Sequence, residues 1–110
     1  LEADMNKKFI VRKNEEIQKI IKKSNKKYNK FFVIYFAKNS LGYNRFCISV
    51  GKKIGKAHTR NLYKRRIKDI LMKNIINSSN DYVIILRTSI LGSSYQEISD
   101  ELLRLLRGEK

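Results

Sequence analysis

Arg60, Asn61, Lys64, Arg65 and Lys68 follow one another at alternating one- and three-residue steps. On an α-helix, at about 100° per residue, they fall within an arc of roughly 140°. Tyr63, Ile67 and Ile70 lie away from the centre of that arc, so the helix can be anchored by one face while it presents the other. Such a face suits a phosphate backbone. Each arginine offers a planar fork of donors, each lysine a point charge, and Asn61 can donate or accept at a base edge or a 2′-hydroxyl. Upstream, Lys52, Lys53 and Lys56 add charge, and Gly51 and Gly55 let backbone amides approach an anion. A solvated helix face can also be charged, but between Lys52 and Lys73 nine basic residues meet a single acid, Asp69. With so little salt-bridge pairing, the run is best explained by a polyanionic partner.

A second basic stretch runs from Lys7 to Lys30, with ten basic residues against Glu15 and Glu16. It leads into the aromatic-rich segment FFVIYFA, Phe31 to Ala37. Tyr28 and Tyr35 can serve a core; Tyr35 can equally face a base, because nearby Arg12 and Lys30 would supply the charge that accompanies stacking. Other reactive side chains are isolated. His58 is the only histidine and reads as a surface or RNA-contacting residue, and Cys47, the only cysteine, as an ordinary strand residue. Glu15 and Glu16, adjacent on a helix, point apart and suit the positive end of its dipole. No catalytic residue and no metal ligand set is expected in the polypeptide.

The elements that must position these residues follow from periodicity. Asn14, Glu15 and Glu16 predict a helix start with Asn14 as N-cap, and Ile17, Ile20 and Ile21 an apolar face ending near Lys23. Ser24 to Lys30 reads as a loop. Phe31 to Ala37 and Arg45 to Val50 read as strands, adjacent and antiparallel as a hairpin, and Asp81 to Arg87 as a third strand. A helix is expected from Arg60 to about Ile76 with Thr59 as N-cap. A closing helix follows a Ser94–Glu97 capping box and carries Ile98, Leu102, Leu105 and Leu106. A short extra strand is allowed near residues 9–12. The fold class is α+β, helices packed on a small, mostly antiparallel sheet.

The whole composition agrees. The chain has 110 residues and a formal net charge of +15, and the basic excess fades after Ser93. The length suits one domain over residues 5–110, with Leu1 to Asp4 read as a cloning remnant before Met5. A lone cysteine excludes a disulfide framework and fits a reducing cytoplasm. No segment has the apolar length of a membrane span or the pattern of an interfacial helix, so no membrane partner is expected.

The stretch KKIGKAHTRNLYKRRIK, Lys52 to Lys68, resembles the signature of the bacterial ribonuclease P protein family. That pattern runs Lys-Lys-x-Gly-x-Ala, two residues, Arg-Asn, two residues, Lys-Arg, two residues, Arg. The chain matches at Lys52, Lys53, Gly55, Ala57, Arg60, Asn61, Lys64 and Arg65, and departs at Gly51, His58 and Lys68. RKNEEIQKII, NKFFVIYF and DYVIILR are similar to the family's first helix and two of its strands, so nearly the whole chain is covered.

The resemblance implies an αβββαβα order with a left-handed βαβ crossover, where general handedness rules suggest the opposite hand. It also implies a subunit of an endoribonuclease that removes the 5′ leader of precursor tRNA. Catalysis and most Mg²⁺ binding would rest with the catalytic RNA, with no metal bound by the protein alone and no obligate protein partner. Lys52, Lys53, Lys56, Arg60, Asn61, Lys64, Arg65 and Lys68 would contact that RNA. Arg12, Ile17, Ile21, Lys30 and Tyr35 would line a leader cleft, with Ile17 and Ile21 standing where the family commonly has aromatics. A ribosomal protein shares the basic composition but not the Lys52–Arg65 spacing, and a duplex-DNA reader needs a helix-turn-helix partner where strands are predicted.

Overall fold

The computed structural model describes residues 6–22 and 25–108. In chain order it comprises α1 (Asn14–Lys22), β1 (Lys26–Tyr28), β2 (Phe32–Lys38), β3 (Arg45–Ser49), α2 (Ala57–Lys73), β4 (Asn80–Leu86) and α3 (Tyr95–Leu106). Single 3₁₀ turns lie at Lys7–Phe9, Lys52–Ile54 and Thr88–Ile90. The sheet order is β1-β2-β4-β3, antiparallel except for the β3–β4 pair, which is parallel and has α2 between its strands. This is the expected α+β class. Leu1 to Asp4 lie outside the described residues.

The expected hairpin of β2 with β3 is not formed, because β4 enters between them. Asp81 to Ile84 are buried without interruption, and a strand so apolar is stabilised most at the centre of a sheet. The connection 39–44 is shaped to let it in. Asn39 N–H donates to the Ser79 carbonyl at 3.0 Å, and Gly42 N–H to Ser79 Oγ at 3.1 Å. Asn44 Oδ1 accepts from Asn80 N–H and from Ser78 Oγ, each at 2.8 Å. The connection therefore wraps the entry to β4 and does not turn directly into β3.

The predicted loop from Ser24 to Lys30 contains β1, which pairs Lys26, Lys27 and Tyr28 with Tyr35, Ile34 and Val33. A lysine-bearing edge strand buries little and shows no apolar alternation, which is why the segment reads as a loop. Asn29 closes its turn: Oδ1 accepts the amides of Phe31 and Phe32 at 3.0 Å each. The strand allowed near residues 9–12 shrinks to one bridge, Ile10 to Phe46, with Val11 N–H on the Phe46 carbonyl at 2.9 Å.

Helix starts also move. Ile17 N–H donates to the Lys13 carbonyl, so Asn14 lies inside the first turn and is not the N-cap. α2 begins at Ala57 and ends at Lys73, three residues earlier at each end than expected, and Lys56 is its N-cap. Thr59 lies within the helix and packs under Gly55. A Cβ on Gly55, whose φ is +152°, would sit 3.1 Å from Thr59 Cβ, so glycine is required there on two grounds. Ser94 does cap α3, accepting from Glu97 N–H at 3.1 Å.

Strand alternation divides the apolar residues between two faces. On one, Phe36, Tyr82 and Phe46 form a row across β2, β4 and β3, with Tyr82 and Phe46 stacked at 5.5 Å. Tyr63, Ile67 and Ile70 of α2 and Ile98, Leu102 and Leu106 of α3 complete that main core. On the other face, α1 lays Ile20 and Ile17 over Ala37, Val83 and Tyr35. The large core fixes α2, and the small one fixes α1.

Candidate nucleic-acid interface

Burial of Tyr63, Ile67, Ile70 and Leu71 decides which way α2 faces. Asn61 and Arg65 are exposed, and Arg60, Lys64 and Lys68 partly so. Lys52, Lys53 and Lys56 are exposed on the turn just before the helix, which is pinned by the buried Ile54. His58 is exposed in the first turn. The acid on this helix, Asp69, is engaged by Lys73 at 3.1 Å and by the Tyr95 hydroxyl. Its pKa is held below the ordinary carboxylate range, first by the Tyr95 hydrogen bond and then by Lys73. The positive field of the arc is thus left largely uncancelled.

The basic arc continues beyond α2. A groove of about 230 Å³ is lined by Ile10, Val11, Arg12, Cys47, Lys64 and Lys68, among others. Arg12, grouped by sequence with the leader residues, therefore shares a surface with Lys64 and Lys68, grouped with the catalytic-RNA residues. The Cys47 thiol on its floor has its pKa pushed up by burial, opposed more weakly by Lys64.

The face covered by α1 can be read as rows across the sheet. One row runs Lys26, Tyr35, Val83, Cys47, and the next runs Tyr28, Val33, Ile85, Ser49. Ile17 packs into the cluster that holds Tyr35, Cys47 and Ile85. In the second row Val33 and Ile85 are only half-buried and Tyr28 is exposed, so α1 leaves an apolar shelf open beside it. Lys26 Nζ stands 5.9 Å from the Tyr35 ring centroid. Ile21 is half-buried one helical turn after Ile17, and Tyr35 and Ile17 are thus brought to this side by β2 and α1. Lys30 is not: it pairs with Glu97 of α3 at 3.7 Å and lies over the Phe31 ring, which belongs to the main core.

Lys26 and Tyr28 also lie on this face, and on α2 Arg66 lies over the Tyr63 ring at 5.3 Å. Strand alternation places the first two beside Tyr35 through the β1–β2 register. A further element had no sequence signal. Arg45 on β3 holds Asp81 on β4 through Nε–Oδ1 at 2.9 Å and Nη2–Oδ2 at 2.7 Å, and reaches Glu16 of α1 at 3.2 Å. The guanidinium pKa is driven further up, first by the Asp81 hydrogen bond. This network fastens α1 to the sheet. Among the described residues no three His, Cys, Asp or Glu side chains converge as metal ligands, and no helix is long and apolar enough to cross a membrane.

Comparison with known proteins gives the same picture. The ribonuclease P family model matches residues 5–109. The ribonuclease P protein component of Mesoplasma florum is 43% identical over 105 residues, covering 93% of this chain and 96% of the relative. That of Geobacillus sp. is 39% identical over 106 residues, covering 94% and 91%. The RNase P protein from Thermotoga maritima superposes with a TM-score of 0.84 at 30% identity, covering 91% of this chain and 96% of that one. A sequence match of this extent, on a fold that sets the signature residues together on one exposed helix, has one reading: the chain belongs to the ribonuclease P protein family.

Proposed function

We propose that this chain is the protein subunit of ribonuclease P, binding the catalytic RNA with α2 and the 5′ leader of precursor tRNA with the α1 face of the sheet. The observation that carries the reading is the outward arc of Arg60, Asn61, Lys64, Arg65 and Lys68 on a helix whose other side is locked in the core. Lys52, Lys53 and Lys56 extend it along the RNA backbone, each charge binding phosphate by displacing condensed counterions. On the leader side, Tyr35 offers a ring for stacking, and Ile17 and Ile21 offer apolar contact. Arg12, between the two surfaces, bridges the RNA strands that meet there, and Lys30 acts from the rim as general positive charge.

The polypeptide contributes binding and orientation, and the RNA carries the chemistry. Mg²⁺ is held by the RNA in this reading; the described residues do not assemble a donor set that fits it, so no step passes through a protein-bound metal. Residues 5–110 act as one domain in the cytoplasm, without an obligate protein partner. Reconstitution tests the reading: a 5′-extended precursor tRNA is cleaved by ribonuclease P RNA at low magnesium, with and without the protein. Addition is expected to raise cleavage, and no gain would refute it.

A further inference from the structure

Tyr28 is 67% exposed on the edge strand of the sheet. Among the described residues no other aromatic side chain is so exposed, and its row neighbours Val33 and Ile85 are half-buried. Its placement is specific. Lys26 pairs with Tyr35 and Tyr28 with Val33, so Tyr28 and Tyr35 are diagonal neighbours on one face, about 7–8 Å apart in an antiparallel pair. Lys26 lies on the same face and leans over Tyr35. Lys27 points to the other, over Phe36, where burial lowers its pKa. Two rings and a lysine thus border an open apolar shelf.

We propose that Tyr28 is a second stacking platform, carrying a nucleobase of single-stranded RNA next to the one on Tyr35, with Lys26 neutralising the phosphate between them. The proposal rests on the reading of the α1 face as the leader surface and extends it to the sheet edge. Chemistry favours single-stranded RNA over a protein partner here. An exposed ring with Lys26 and a second ring on the same face stacks on any base, whereas a protein hot spot sits in a desolvated pocket. Adjacent unstacked nucleotides can span the separation of the rings.

The test uses the holoenzyme reconstituted with its catalytic RNA, precursor tRNAs with leaders of graded length, and mature tRNA. Tyr28→Ala is expected to weaken binding of the long-leader precursor roughly five-fold or more. Mature tRNA and a precursor whose leader ends before the second platform are expected to bind as to wild type. Tyr28→Phe keeps the ring and should bind like wild type. Tyr28→Leu keeps apolar bulk on β1 without a ring and should resemble Tyr28→Ala, which separates stacking from loss of the strand. If Tyr35→Ala is selective for precursor while Tyr28→Ala is silent at every leader length, the second platform is overturned and the leader surface stands. If Tyr28→Ala weakens precursor and mature tRNA equally, Tyr28 touches another RNA surface and the proposal also fails. If Tyr35→Ala itself shows no precursor selectivity, the leader reading falls and takes this proposal with it.

Discussion

Arg45 and Asp81 are direct partners across the parallel β3–β4 pair, and the guanidinium grips the carboxylate through two parallel hydrogen bonds of 2.9 and 2.7 Å. Asn39 Nδ2 donates to the same carboxylate at 2.8 Å, and Glu16 approaches the same guanidinium at 3.2 Å. One side chain therefore joins β3, β4 and α1. Removing it deprives a carboxylate that is only 12% exposed of its bidentate cation. Arg45→Ala is expected to cost about 2–3 kcal/mol, somewhat below a fully buried pair because the arginine is partly solvated. Urea unfolding measures this, and a loss under about 0.5 kcal/mol would show that the network is incidental.

Arg60→Ala, Lys64→Ala and Arg65→Ala should each weaken binding to ribonuclease P RNA without lowering the urea midpoint. For every phosphate that is no longer neutralised, the salt slope should fall by about 0.7–0.9. Slopes equal to wild type in all three would remove the arc from the RNA surface. Tyr63→Ala is the opposite case. Its ring is buried in the main core, so the expected loss is stability, about 3 kcal/mol or more. Wild-type unfolding with poor RNA binding would contradict the docking of α2.

Tyr35→Ala should weaken binding of precursor tRNA more than that of mature tRNA. The two RNAs share the tRNA body, so a loss confined to precursor arises in the leader; one stacked base is worth about 1–3 kcal/mol. Ile17→Phe, on the helix wall that packs against Tyr35, should strengthen precursor binding. Equal losses for both RNAs in Tyr35→Ala, or a lowered urea midpoint with no selectivity, would return Tyr35 to a purely structural role.

The Tyr95–Asp69 hydrogen bond joins α3 to α2 and makes stability depend on pH at both ends. Asp69 titrates below its ordinary value in the fold. Its contribution is therefore present above the unfolded carboxylate pKa, about 3.9, and is lost as pH falls through the depressed folded value. Tyr95 is pushed up to about 12, first by burial and then by Asp69. Its contribution is present below the unfolded phenol pKa, about 10, and is lost as pH rises through the folded value. Tyr95→Phe should flatten both ends of the stability profile and lower the plateau between them. Identical pH profiles for the two proteins would exclude the coupling.

Much of the site could be read from residue order alone. The outward arc of Arg60 to Lys68 and the inward Tyr63, Ile67 and Ile70 are both properties of a 3.6-residue period, which any helix expresses whatever it packs against. The stripe Ile98, Leu102, Leu106 and the Ser94 cap follow for the same local reason. Strand neighbours carry no such period. The place of β4 between β2 and β3 depends on Asn39 meeting Ser79, and Asn44 meeting Ser78 and Asn80, across more than thirty residues, through hydrogen bonds that leave no repeating mark in the sequence. β1 was hidden because an edge strand of lysines buries too little to alternate. Only the assembled sheet could bring Tyr28 beside Tyr35 and Arg12 beside Lys64 and Lys68, because such contacts are set by long-range pairing and register.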